Sequence, residues 1–215
     1  MFESFSGKNY SDSPKYISEY INAHYPGKYR LVWAVNQKEP GISYPYKKVK
    51  RYSMAYLYYL AVSRYFVFNS RQAGWMKKRK GQVFLETWHG TPLKKLFFDM
   101  EDVTSATPTC KQEVYEQGKD WDYLISPNPF STEIFRRCFL YENVILESGY
   151  PRNDLLHAEN REEISRRIKK KLEIPEDKKV ILYAPTWRDD EYYASGKYKF
   201  TLPLDLAKMS MELGE

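Results

Sequence analysis

Gln82-Val83-Phe84-Leu85-Glu86-Thr87-Trp88-His89-Gly90-Thr91-Pro92-Leu93-Lys94-Lys95 is the stretch on which the reading of the chain turns. Gln82 to Glu86 is a strand-like run. Thr91 then reads as a helix cap, Pro92 as the first helical position, and Lys94 and Lys95 fall in the first turn. The pattern predicts a strand, a short loop carrying His89, and a helix N-terminus. In open α/β sheets, ligands bind at the carboxyl ends of the strands. Helix N-termini favour anions, and an anion nearby would explain two lysines there, as would an ordinary solvated helix start. The segment therefore places a titratable imidazole beside a site suited to phosphate.

Outward from this stretch, helical and strand patterns alternate, which argues for βαβ units around a parallel sheet. Ser13-Pro14 opens a helix running to about Tyr25, with Tyr16, Ile17, Tyr20 and Ile21 on one face. Tyr29 to Val35 reads as a buried strand, Ser53 to Ser63 as a helix, and Tyr65 to Phe68 as a strand. Downstream, Tyr123 to Ile125 and Asn143 to Leu146 read as strands around a helix at Phe130 to Phe139. Arg161 to Leu172 is a highly charged helix candidate, Pro175 punctuates it, and Val180-Ile181-Leu182-Tyr183 starts a fresh strand. The division expected is a first domain over 1–157, a helical linker over 158–178, and the opening of a second domain over 179–215.

The chain has 215 residues, 42% of them hydrophobic, enough for one large domain or one domain and part of another. Twenty Tyr, 11 Phe and 5 Trp suit half-wet surfaces such as interfaces, sugar grooves or a membrane face. A net charge of +6 favours anionic partners without choosing among them. Cys110 and Cys138 are far apart and form no zinc-like cluster, so reduced thiols in a cytoplasmic protein are expected. There is no signal-like h-region and no apolar run near the ~18 residues of a membrane span, so any membrane contact would be peripheral. Walker, Gly-x-Gly-x-x-Gly and Gly-x-Ser-x-Gly motifs are absent, as are nucleic-acid motifs.

Five blocks in order resemble one family: Gly7-Lys8-Asn9-Tyr10-Ser11-Asp12-Ser13-Pro14, Thr87-Trp88-His89-Gly90-Thr91-Pro92-Leu93-Lys94, Trp121-Asp122-Tyr123-Leu124-Ile125-Ser126-Pro127-Asn128, Gly149-Tyr150-Pro151-Arg152-Asn153-Asp154 and Tyr183-Ala184-Pro185-Thr186-Trp187-Arg188-Asp189-Asp190. The family is that of the CDP-glycerol glycerophosphotransferases, the teichoic acid primases and polymerases. The resemblance implies an α/β fold: a Rossmann-like parallel-sheet domain of a GT-B-type two-domain architecture, with residues 1–157 on the acceptor side and 179–215 opening the CDP-glycerol domain. It implies transfer of glycerol phosphate from CDP-glycerol to a lipid-linked teichoic acid acceptor at the cytoplasmic membrane face, without metal or other cofactor. The family's second histidine and donor-site serines are not found in these residues, so little turnover is expected of them alone. CDP-ribitol, a capsule polymer, or a non-catalytic acceptor- or membrane-binding module are the alternatives; a homo-oligomer is compatible with all of them.

Within that frame each residue carries a sharp and a bland reading. His89 is the expected acceptor base, whereas His24 and His157 match no motif. Gly90 is expected to permit a tight turn or close backbone approach. Trp88 is expected to pack under the loop rather than stack on a ligand. Thr91, Lys94 and Lys95 are candidate phosphate contacts, or an ordinary solvated helix start. Arg152 is suited by its planar fork to phosphate, but pairing with Asp154 to shape a turn is slightly preferred. Asn128 is as much a turn former as an acceptor contact. Thr186 and Arg188 are donor-side candidates, and Asp189-Asp190 alone is a weak metal signal. Trp75-Met76-Lys77-Lys78-Arg79-Lys80 is either a solvated loop or a patch for an anionic membrane, where each cation contributes about 1 kcal/mol.

Overall fold

The structure is a computed structural model that describes residues 1–101, 109–185, 192–194, 197–198 and 202–213. The chain divides into two compact units, Met1–Arg161 and Glu162–Glu215.

The first unit is built on seven strands: β1 (Phe2–Glu3), β2 (Val32–Ala34), β3 (Lys47–Val49), β4 (Tyr65–Phe68), β5 (Val83–Glu86), β6 (Tyr123–Ser126) and β7 (Val144–Glu147). They form one parallel sheet in the order β3-β2-β1-β4-β5-β6-β7. The chain winds outward from β1 to β3, then returns to lay β4 on the other side of β1. That reversal opens a crevice at the carboxyl ends of β1 and β4, the position where doubly wound sheets take ligands.

Helices α1 (Asp12–His24), α2 (Met54–Val62), α3 (Cys110–Gly118) and α4 (Pro129–Phe139) lie between the strands. Successive side chains alternate between the sheet's two faces. On one face, Val32, Ala34, Phe66, Phe68, Phe84 and Leu124 join Tyr56, Val114, Phe135 and Phe139. On the other, Phe2, Trp33, Val35 and Val67 join Ile17 and Ile21 of α1. The Trp33 indole N–H is satisfied there by the Tyr44 hydroxyl at 3.0 Å. Tyr20, expected on the apolar face of α1, is exposed and stacks on His24. The inward arc is narrower than the sequence suggests: Ser13, Pro14 and Ser18 are its buried members.

Local signals set the helix ends. Ser53 caps α2 by accepting from the Tyr56 amide at 3.2 Å. Asn128 caps α4 by accepting from the Ser131 amide at 2.9 Å, with Pro129 next in line.

One expected helix does not form. Residues 91–96 are irregular, followed by a single 3-10 turn, Phe97–Asp99. Leu96 and Phe97 pack on the core but Leu93 is 83% exposed, and Phe97 has a φ of 38°. A left-handed residue interrupts any helix begun at Pro92, and so short a helix is marginal without a packed face.

In the second unit, α5 (Arg161–Lys171) starts at the boundary and complements its own dipole, with Glu162 and Glu163 in its first turn and Lys169, Lys170 and Lys171 in its last. The strand expected at Val180 to Tyr183 is not formed: these residues are exposed, and none of the described strands pairs with them. A strand needs a ladder partner for its main chain. A short antiparallel pair, β8 (Tyr192–Ala194) and β9 (Lys197–Tyr198), and α6 (Leu206–Leu213) complete the unit. Among the described residues no helix is long and apolar enough to cross a membrane.

Candidate active site

His89 lies three residues beyond the end of β5, at the carboxyl edge of the sheet. Its ring is exposed and reaches back over the end of β4 toward the crevice. Nδ1 lies 2.5 Å from the main-chain oxygen of Asn69, the residue after β4. A carbonyl oxygen only accepts, so Nδ1 carries the proton and, in the neutral ring, Nε2 is left as the acceptor. The imidazole stacks on Trp88 at 4.6 Å between centroids and meets the edge of Phe5, after β1, at 5.7 Å. Segments following β1, β4 and β5 thus converge on one ring.

The loop is anchored from below. Trp88 is buried among Phe97, Phe135 and Phe139, which supports the packing reading of that residue. Its φ is 51°, so the left-handed turn falls on the tryptophan. Gly90, expected to supply that turn, has no positive φ; a Cβ there would meet nothing within 4 Å. Glu86, fully buried at the end of β5, fixes the turn by accepting the Trp88 amide at 3.0 Å. Burial raises its carboxyl well above the usual range, and the nearby Glu3 and Asp12 add to the shift against the opposing Trp88 hydrogen bond.

The loop is also held from the side. Arg152 Nη1 donates to the His89 carbonyl at 2.9 Å and to Asp12 Oδ2 at 2.6 Å. Its partner is therefore Asp12, at the start of α1, and not the expected Asp154, which is exposed. The Tyr150 hydroxyl donates to the Gly90 carbonyl at 2.8 Å. Asp12, Asn69, Glu86 and Tyr150 were not singled out by sequence. Asp12 and Tyr150 sit in blocks already noted, and Asn69 directly follows a strand the sequence marks clearly.

Other candidates disperse. Thr91, Lys94 and Lys95 are exposed on the irregular segment, and Lys95 pairs with Glu101 at 2.9 Å. The helix N-terminus expected to aid them is absent. The Asn128 side-chain oxygen is occupied as the α4 cap. Lys78 is paired with Asp122 at 2.5 Å and Arg79 donates to the Ala61 carbonyl, while Trp75, Lys77 and Lys80 are exposed. Thr186, Arg188, Asp189 and Asp190 lie outside the described residues. Among the described residues, no group of three or more His, Cys, Asp and Glu side chains is placed to hold a metal ion.

An open parallel sheet with an oriented histidine at its switch point defines a Rossmann-like α/β domain with a ligand edge. The chain belongs to the CDP-glycerol:poly(glycerophosphate) glycerophosphotransferase family, whose model matches residues 1–215. It is 48% identical over 223 residues to the teichoic acid poly(glycerol phosphate) polymerase of Bacillus subtilis (strain 168), covering 100% of this chain and 29% of that protein. It is 40% identical to the teichoic acid glycerol-phosphate transferase of Staphylococcus aureus (strain NCTC 8325 / PS 47), covering 100% of this chain and 56% of that protein. A solved structure of the wall teichoic acid polymerase TagF superposes with a TM-score of 0.89 at 46% identity, over 99% of this chain and 53% of that one. The chain thus spans about half or less of the length of these relatives.

Proposed function

We propose that this chain supplies the acceptor side of an enzyme that transfers glycerol phosphate from CDP-glycerol to a lipid-linked teichoic acid acceptor or a growing poly(glycerol phosphate). An acceptor hydroxyl attacks the phosphorus that bears the glycerol. The new P–O bond forms as the pyrophosphate P–O bond breaks, and CMP leaves with that bond's electron pair. His89 Nε2 takes the hydroxyl proton, a step worth about 10²- to 10⁴-fold. The observation that carries this reading is the Nδ1 bond to Asn69, which leaves Nε2 open at the switch point. Thr91, Lys94 and Lys95, exposed just beyond His89, are the proposed anion contacts. Residues 1–157 form the acceptor-side domain, 158–178 the linker and 179–215 the opening of the donor domain. The names of the relatives support glycerol phosphate as the transferred group.

The test is CMP release from CDP-glycerol and a membrane acceptor by the native gene product that carries these residues, and by a chimera in which they replace the matching segment of the Bacillus subtilis polymerase. His89→Ala is expected to lower turnover about 10²-fold or more. Unchanged turnover removes His89 as base.

Docking on an anionic membrane face is part of the same proposal. Met54, Tyr58 and Val62 form an exposed i, i+4, i+8 stripe on α2, and exposed Trp75 lies 6.2 Å from Tyr52. Exposed Lys77, Arg79 and Lys80 neighbour Trp75 in sequence. Apolar anchors with cations are suited to a lipid surface. Sedimentation with anionic liposomes should fall with salt and with Trp75→Ala. Equal sedimentation with neutral liposomes would remove the electrostatic part of the proposal.

A further inference from the structure

Backbone strain is concentrated around His89. Phe5, Ser6, Asp12 and Trp88, all non-glycine residues with φ between 46° and 59°, belong to the segments that surround it. Such conformations cost on the order of 1–3 kcal/mol each and persist where surrounding contacts over-determine them. At Asp12 those contacts are visible. Oδ1 accepts from the Ser13 amide at 2.5 Å and Oδ2 takes Arg152, while the carboxylate itself is only 4% exposed. Arg152 lies 4.8 Å over the Tyr150 ring. From that platform Arg152 holds the His89 carbonyl and Tyr150 holds the Gly90 carbonyl. Two consecutive peptide groups of the loop are therefore fixed by residues some 60 positions downstream. The direction of the His89 Cα–Cβ bond follows from those peptides, and with it the meeting of Nδ1 and the Asn69 carbonyl.

We propose that Asp12, Tyr150 and Arg152 are positioning residues for His89: by fixing the carbonyls of His89 and Gly90, they hold the imidazole in the tautomer that directs Nδ1–H to Asn69 and leaves Nε2 as the open acceptor. The catalytic consequence rests on the reading of His89 as base; the tautomer does not. This assigns the Gly7–Pro14 and Gly149–Asp154 blocks one joint task, supporting the ring from two sides of the crevice. It also differs from a phosphate-binding role for Arg152, since Nη1 is already shared between two protein oxygens.

The experiment is heteronuclear NMR of the chain with isotope-labelled histidine, its three histidines assigned by substitution. Wild-type His89 is expected to show the Nδ1-protonated tautomer in its neutral form, which free imidazoles disfavour. Arg152→Ala, with helical and aromatic circular dichroism unchanged, should move it toward the Nε2-protonated form, and Tyr150→Phe should do so to a smaller extent. If Arg152→Ala does not fold, Tyr150→Phe and Asp12→Asn carry the test, since each changes few atoms. In the turnover assay, Arg152→Ala should lower kcat by roughly 10²-fold, the scale of a small misplacement, with KM for CDP-glycerol unchanged. An unaltered tautomer in the folded variants overturns the proposal. So does a raised KM with wild-type kcat, which would place Arg152 on the donor. Should His89→Ala keep full turnover, the base reading falls while the tautomer result still decides the clamp.

Discussion

Glu3 at the end of β1 and Glu86 at the end of β5 occupy the same row of the sheet, each in register with Phe68 of β4 between them. Both are buried, at 1% and 0% exposure. Their surroundings differ. Glu3 has Arg51 Nε at 3.2 Å and the Gln72 amide at 3.2 Å. Among the described residues Glu86 has no cation beside it, only the Trp88 amide on one oxygen; the Oε2 atoms of Glu86 and Glu3 alike lack a hydrogen-bond partner there. Burial raises both carboxyls, but at Glu3 the Arg51 charge opposes the shift, whereas at Glu86 neighbouring carboxylates reinforce it. A third carboxylate, Asp12, is paired with Arg152. Around His89 the edge of the sheet therefore carries three carboxyl groups, two beside an arginine and one, Glu86, raised by burial well above the usual range. Arginine pairing at Glu3 and Asp12, and the raised carboxyl of Glu86, each reduce the negative charge that a phosphate approaching His89 would meet.

Breaking the β1 side should have the largest effect. Arg51→Met strands Glu3 in the core, and removal of one partner of a buried pair costs about 3–5 kcal/mol. Glu3→Gln keeps the shape and leaves Arg51 with a neutral acceptor, for a smaller loss of about 1–3 kcal/mol. Urea unfolding of both variants checks the order. Losses below about 0.5 kcal/mol, the scale of ordinary surface substitutions, would mean that Arg51 does not compensate Glu3 and that the two ends of the row are alike.

This contrast was not legible in the sequence, although most of the scaffold was. Runs such as Tyr65 to Phe68 and the β5 stretch declare themselves by apolar and β-branched residues, and α2 by its Tyr, Leu and Ala content. Phe2–Glu3 and Lys47–Val49 do not: they are too short to show alternation, and an acid or two lysines mask the pattern. Helix α3 buries a single large apolar residue, Val114, so its period is faint. In the site, His89 was found because its strand and its motif are local. Its supports were not, since Arg152 meets Asp12 from 140 positions away and Asn69 contributes a main-chain oxygen that any residue could supply. The predicted helix after Thr91 failed for the converse reason: its cap and proline are local signals, and tertiary packing of Leu96 and Phe97 overrode them.

The β5 side gives the smallest effect, with the opposite sign. A native carboxyl whose pKa is raised above the ordinary value of 4.5 binds more protons than the unfolded chain at pH values between the two. Stability from this site is then complete below that value and falls as pH rises through the window up to the raised native pKa, where the loss levels off. Glu86→Gln has no such proton to lose, yet its amide oxygen can still accept the Trp88 N–H. The variant should match wild type near pH ~4 and become the more stable of the two toward neutrality. Taking the difference between variant and wild type at each pH removes the contributions of groups remote from Glu86, which both proteins share. Urea unfolding across that range provides the check. A constant difference would mean that Glu86 is ionised in the native state, so that a cation not yet identified faces it. Both ends of the row would then neutralise charge in the same way. Glu86→Asp sharpens the point from the other direction: the shorter acid stays buried but withdraws from the Trp88 amide. It should therefore loosen the left-handed turn that carries His89, while leaving the neutral character of the site intact.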